Sequence, residues 1–379
     1  MVSPVLPLAL LSPPQVEILL VGSVVAAACA LAGVFLVLRR LALVSDAISH
    51  AILLGIVLAF FITHDLASPL LVVGAAATGV LTVWLIELLV RTGRVREDAS
   101  IGLVFPVLFS LGVILISRYA GHVHLDVDAV LLGELAYAPL DRLTILGLAL
   151  PKPLWLMSGI LLLNAVFVAL FYKELQLSTF DAGLAAALGF APVLLHYGLV
   201  TMVSVTAVGA FDAVGSILVV ALMIAPPATA YLLTHRLGPL IGLSVLLGVA
   251  SAVGGYFLAH RLDTNIAGAM ASFSGLLFAL AWLLAPQRGL LAQWLRRRRQ
   301  RWQFAAQLLT VHLLNHEGQP DEAFESGLAH LVKHLRWDDR FADGVVDHAQ
   351  RHGLVTLSDE RLSLTERGRR TASAVLGRS

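Results

Sequence analysis

Asp46 and His50 stand four residues apart in an apolar stretch, Leu43-Val44-Ser45-Asp46-Ala47-Ile48-Ser49-His50-Ala51-Ile52-Leu53-Leu54-Gly55. On a helix, positions i and i+4 lie one above the other on one face, about 5–6 Å apart at Cβ. A carboxylate in hydrocarbon costs roughly 2.5–3.5 kcal/mol even on lenient insertion scales, so it is rarely kept without a task. One carboxylate and one imidazole aimed at the same point, at membrane depth, suit a divalent metal ion in transit. Arg39 and Arg40 precede them closely, so an ion pair between Asp46 and arginine at the membrane surface is the plainer alternative. Ala51 to Phe61 is apolar, which puts His50 about a turn inside the membrane. Two ligands do not complete a metal site, but a two-fold-related copy of the helix supplies two more, giving N₂O₂. Such donors suit Mn²⁺, Fe²⁺ or Zn²⁺, and the lack of sulfur argues against Cu(I).

The elements that must hold this pair are membrane spans. Of the 379 residues, 58% are hydrophobic and 13% charged, with a mean hydropathy of +0.85; soluble domains carry about 25% charged residues. Charge is uneven: residues 1–287 hold 11 Lys+Arg and 14 Asp+Glu, residues 288–379 hold 15 and 11. Nine apolar segments approach the roughly 20 residues a bilayer requires, near 15–38, 45–62, 66–90, 99–117, 153–171, 192–209, 211–233, 238–258 and 268–286. The second and sixth are short or carry polar residues, so eight or nine spans are expected. Basic residues follow the first, third, fifth, seventh and ninth segments (Arg39-Arg40; Arg91, Arg94 and Arg96; Lys173; Arg236; Arg296 to Arg299). The positive-inside rule then sets the N-terminus outside and the C-terminal region in the cytoplasm. No Lys or Arg precedes Arg39, so the first residues read as a short leader to the first helix and not as a signal peptide. The single cysteine, Cys29, reads as a small buried hydrophobe.

Other features are weaker. His122, His124, Asp126 and Asp128 fall in a loop on the expected outer face, where they form either a cation-attracting vestibule or a solvated polar loop. Asp212, between the sixth and seventh segments, reads as a helix cap. Small residues at Gly74, Thr78 and Gly79 let helices approach closely. Pro226-Pro227 is expected to break the seventh segment. No Gly-x-x-x-x-Gly-Lys-Ser/Thr occurs, so the chain has no phosphate-cradling loop and ATP hydrolysis belongs elsewhere.

Three blocks carry a resemblance: Leu38-Arg39-Arg40 to Ser45-Asp46-Ala47-Ile48-Ser49-His50-Ala51; Glu97-Asp98-Ala99-Ser100-Ile101-Gly102 with Phe109-Ser110-Leu111-Gly112-Val113; and Val214 to Ala230. Over about residues 15–286 the chain resembles the permease subunits of ABC transporters that import manganese, zinc or iron. The resemblance implies that Asp46 and His50 contact the metal in transit. It further implies two copies of a separate ATPase, a second permease protomer (the same chain or a homologue) and an extracytoplasmic metal-binding protein. It makes the segment from Tyr172 to Gly189 similar to that family's coupling helix, with Ser178, Thr179, Phe180, Asp181, Gly183, Leu188 and Gly189. From the residues alone, this is a short amphipathic stretch with Ser178 or Thr179 as N-cap and Gly189 as its close.

Beyond a basic linker at 288–301, residues 302–379 read as three helices (Phe304–Leu314, Ala323–Leu335, Phe341–Arg351), a hairpin and a last helix from Thr365. This resembles the winged helix of iron- and manganese-dependent repressors. The third helix carries Asp343 and Asp347 and is not basic, so nucleic acid is not an expected partner. The tail histidines His312, His316, His330, His334 and His348 permit metal sensing.

The expected architecture is an all-α polytopic membrane protein (1–287) with a small α+β winged-helix-like appendage. The expected function is a cell-membrane permease, not an enzyme, with no permanently bound cofactor, moving Mn²⁺ (alternatively Zn²⁺ or Fe²⁺) inward. An importer of organic metal chelates and a membrane-tethered regulator are the rival readings.

Overall fold

Apolar runs of helix-forming residues, punctuated by proline at their starts, determine where the helices of the membrane portion begin and end. The computed structural model describes residues 12–64, 68–119, 133, 135–145, 147–327, 330, 335, 337–358 and 361–377. Helix α1 (Pro13–Leu38) opens with prolines whose missing N–H groups would be unpaired anyway, after a capping box of Ser12 and Gln15. It is followed by α2 (Ala42–Thr63), α3 (Pro69–Arg91) and α4 (Glu97–Tyr119). A one-turn 3₁₀ helix (Leu135–Tyr137) and an antiparallel hairpin, β1 (Arg142–Ile145) with β2 (Leu148–Pro151), lead into α5 (Lys152–Leu170). Two short helices, α6 (Tyr172–Phe180) and α7 (Ala182–Ala187), precede α8 (Pro192–Leu233), α9 (Leu237–Leu262) and α10 (Ile266–Leu284). Among the described residues, nine helices are long and apolar enough to cross a membrane, α8 counting as two. The loop carrying His122, His124, Asp126 and Asp128 lies outside the described residues, as do the first residues of the leader.

Small side chains decide the packing. Helix α1 is buried through Ala26, Ala28, Cys29, Ala30 and Ala32 and forms the middle of the bundle. A Cβ on Gly55 of α2 would lie 2.2 Å from the Gly74 carbonyl of α3 and 2.3 Å from Thr78 Oγ1. Glycine there lets the two backbones touch, as the small-residue spacing predicts.

The break in α8 is not at the prolines. It lies at Gly215, whose φ of 75° and ψ of 165° suit glycine. The helical backbone runs through position 212, and the side chain expected to cap there lies outside the described ones. It also continues through Pro226 and Pro227. The missing N–H of Pro227 leaves the Met223 carbonyl without its helical donor, and α1 packs directly on that carbonyl: a Cβ on Gly33 would come within 1.9 Å of Met223 O. Close cover by α1 holds this stretch helical.

The second unit, Pro286–Ser379, is a separate compact body. Its first helix, α11 (Leu290–His316), is continuous, so the basic stretch 288–301 is largely helical and not an extended linker; arginine and glutamine are good helix formers and no glycine or proline interrupts them. Of the expected second helix, Glu322–Glu325 forms a short helix, α12, after which Ser326 and Gly327 pair with the hairpin: Leu362 N donates to Ser326 O at 3.0 Å, and Gly327 bridges Arg361. Positions 328–329 and 331–334, His334 among them, lie outside the described residues. Helix α13 (Asp339–Arg351) leads to strands β3 (Val355–Ser358) and β4 (Arg361–Leu364), antiparallel with Val355 opposite Leu364. Helix α14 (Glu366–Val375) is capped by Thr365, whose hydroxyl accepts from Gly368 N. Leu309, Leu313, Val345, Val346, Val355 and Leu362 form this unit's core.

Candidate functional site

Helix α2 sorts its polar groups by face. Ser45 and Ser49 point into the bundle, fully buried; the Ser45 hydroxyl donates to Met223 Sδ at 3.3 Å and that of Ser49 to the Ser45 carbonyl at 2.9 Å. One residue further on at each point, Asp46 and His50 share the other edge. Asp46 Oδ1 lies 3.4 Å from His50 Nε2, and the side chains are 46% and 33% exposed in the single chain. The His50 ring is flanked by Phe105 and Phe109 of α4, at centroid distances of 5.8 and 6.0 Å. These rings restrict the imidazole on one side and leave the Asp46 side open. Asp46 makes no ion pair with Arg39 or Arg40 among the described contacts; its partner is His50. The pair thus presents one oxygen and one nitrogen donor together.

The α6–α7 segment is built differently from expectation. The cap of α7 is Asp181, whose Oδ1 accepts from Leu184 N at 2.9 Å. Gly189, with φ of 86°, closes it, with Gly189 N donating to Ala186 O and Phe190 N to Ala185 O, both at 3.0 Å. Ser178 and Thr179 are no caps. They belong to α6 and accept from the Arg39 guanidinium, Nη2 to Ser178 Oγ at 3.0 Å and Nε to Thr179 Oγ1 at 3.2 Å. Phe180, Leu184 and Leu188 remain largely exposed on this element, which lies between spans.

Arg39 also opens a network that the sequence did not announce. Its Nη1 lies 3.4 Å from His196 Nδ1 at the start of α8. His196 Nε2 is 2.8 Å from Glu87 Oε1 of α3; the Tyr197 hydroxyl donates to Glu87 Oε2 at 2.8 Å, and Arg91 stands 3.6 Å from the same oxygen. The ends of α1 and α3, the start of α8 and the α6 helix are therefore joined by charged and polar groups. Glu87 gave the usable signal, an acidic residue in an apolar segment. At the opposite end of α1, Glu17 pairs with Arg142 of β1.

Residues 15–285 match the ABC 3 transport family. The chain belongs to that family. It is 48% identical over 360 residues to the zinc transport system membrane protein TroD of Treponema pallidum (strain Nichols), covering 95% of this chain and 98% of the relative. It is 46% identical over 280 residues to the manganese transport system membrane protein MntD of Bacillus subtilis (strain 168), covering 74% and 95%. Among solved structures, PsaBC from Streptococcus pneumoniae in complex with Fab aligns at a TM-score of 0.62 and 27% identity, covering 73% of this chain and 94% of that one. As a family member this permease is a multi-pass membrane protein, and the ATPase is a separate subunit. The match of 360 residues necessarily enters the C-terminal unit.

Proposed function

We propose that this permease carries a divalent transition metal ion into the cytoplasm, manganese foremost, with Asp46 and His50 as the groups that the ion meets within the membrane. The observation that carries the reading is the pairing of the two side chains, 3.4 Å apart on one face of α2 and left open by the chain's own bundle. A second protomer set against that face contributes a second pair. The ion then exchanges part of its hydration for two carboxylates and two imidazoles. Such a set is loose enough to release the ion when the protomers rearrange, which conduction requires.

The α6–α7 element serves as the contact with the ATPase, two copies of which drive the cycle. Its exposed Phe180, Leu184 and Leu188 supply apolar anchors outside the membrane spans. Arg39 fastens α6 to the end of α1. An extracytoplasmic metal-binding protein delivers the ion on the opposite side, and the N-terminus lies outside. Zinc is the second reading, favoured by the relative named for zinc that matches nearly the whole chain.

The test is metal uptake by cells that depend on this transporter, each metal supplied singly and measured by elemental analysis. Replacing both residues, Asp46→Ala with His50→Ala, should abolish uptake while the protein still reaches the membrane. Undiminished uptake by the double variant removes the assigned role, and uptake of zinc but not manganese selects the second reading.

A further inference from the structure

The C-terminal unit contains metal-ligating side chains that the transport pathway does not use. His312 and His316 stand at i and i+4 on α11, their rings 4.8 Å apart between centroids. Glu325, the last residue of α12, faces them: its Oε2 is 3.3 Å from His312 Nε2. One donor atom from each of the three residues lies within 4.8 Å of the other two. Metal–ligand bonds of about 2.1 Å at a tetrahedral angle place two donors about 3.4 Å apart, so the His312–Glu325 separation already matches a shared ion. Two histidines separated by three residues on a helix are also a spacing that holds zinc.

The surroundings point the same way. Glu325 is largely buried, and its Oε2 accepts no aligned hydrogen bond among the described residues. A buried carboxylate oxygen needs a cation or a donor nearby, and the groups around this one are imidazoles: His330 Nε2 lies 3.0 Å away on the side opposite in sequence from His312. Asp321 lies 3.1 Å from His316 Nδ1. The His316 ring is thus held by a neighbouring carboxylate, as ligands of metal ions usually are, and a second imidazole stands beside Glu325.

We propose that His312, His316 and Glu325 bind one divalent transition metal ion in the C-terminal unit, with His330 and Asp321 positioning the ligands. Three protein ligands leave a coordination position for water, so the ion exchanges with its surroundings and is not locked in as a structural ion. The site is separate from Asp46 and His50 and does not rest on their role.

Full-length protein purified in detergent and stripped with a chelator tests this, with Zn²⁺ as the probe counted by elemental analysis and Co²⁺ as the probe read by its visible absorption. The parent for the test carries Asp46→Ala and His50→Ala, so the transport pair contributes nothing. That parent should retain one equivalent per chain at micromolar metal. Adding His316→Gln or Glu325→Gln should weaken binding by at least about tenfold and abolish the cobalt bands. Both substitutions roughly preserve volume; His316 is the more exposed, so its variant keeps the test valid should Glu325→Gln destabilise the unit. No binding by the parent overturns the proposal, as does equal binding with and without His316→Gln.

Discussion

Arg39→Ala isolates the fastening of the α6–α7 element to the membrane helices. The guanidinium donates to Ser178 at 3.0 Å and to Thr179 at 3.2 Å, and alanine removes both bonds. A hydrogen bond with one charged partner contributes about 1.5–3 kcal/mol when buried. Arg39 is only half-buried, so about 1 kcal/mol for each is the better figure, about 2 kcal/mol together. Since 1.4 kcal/mol is a factor of ten, the equilibrium constant for holding α6 against α1 should fall about 30-fold. Metal uptake in proteoliposomes reconstituted with the ATPase should drop by a comparable factor, while basal ATP hydrolysis persists. Arg39→Lys should be intermediate, because an ammonium keeps the charge but not the planar fork that serves two hydroxyls at once. Ser178→Ala with Thr179→Ala should reproduce the defect, and adding Arg39→Ala to it should cost little more, since all three residues share one interaction. Uptake by Arg39→Ala within twofold of wild type would refute the reasoning.

Other outcomes follow from single contacts. Gly55→Ala would push a methyl group into the Gly74 carbonyl; overpacking of this kind costs about 1–3 kcal/mol, and the thermal midpoint in detergent should fall, an unchanged midpoint contradicting the close α2–α3 contact. Asn164→Ala deletes the buried bond from Asn164 Nδ2 to Thr206 Oγ1, 2.8 Å long, and should cost about 1 kcal/mol in the same measurement. In the C-terminal unit, the Arg369 guanidinium beside Glu317 holds that carboxyl below the usual carboxylate range. A depressed folded value means the stabilisation is complete above the ordinary glutamate pKa of about 4.3 and is lost as pH falls through the folded value. Unfolding of the unit should therefore grow easier on acidification, and Glu317→Gln should flatten that part of the profile; an unaltered profile would show the pair to be inert.

What could be read from the sequence and what could not divide along sequence distance. The Asp46–His50 pair was legible because both members lie on one helix, where a spacing of four fixes their proximity whatever the rest of the chain does. Spans were legible for a similar reason: their lengths answer to bilayer thickness and not to neighbours. Arg39 was different. Its partners Ser178 and Thr179 are 139 and 140 positions away, so the local signal, a basic pair after a span, pointed only to membrane orientation. Ser178 and Thr179 looked like helix caps because serine and threonine commonly are, and a distant guanidinium took their hydroxyls instead. The bend of α8 was misplaced because two adjacent prolines are a louder signal than one glycine, although only Gly215 adopts a conformation that ends helical geometry.

These long-range contacts also explain how the two constellations could act together. Arg39 ends α1, and the chain turns into α2 at once: Arg40 adopts φ of 62°, its N donates to Val37 O at 3.2 Å, and Leu41 N donates to Leu36 O at 2.8 Å. A turn so short and so fully hydrogen-bonded has little slack. Asp46 follows within two turns of helix. Displacing α6 therefore pulls on the start of α2 through Arg39, while Gly55 against Gly74 keeps α2 fixed to α3 further along. The Glu87 link from α3 to His196 on α8 closes the circuit. On the proposed reading, a push from the ATPase reaches the metal-contacting carboxylate through this tight turn, which is why loosening Arg39 should impair transport without touching either ligand.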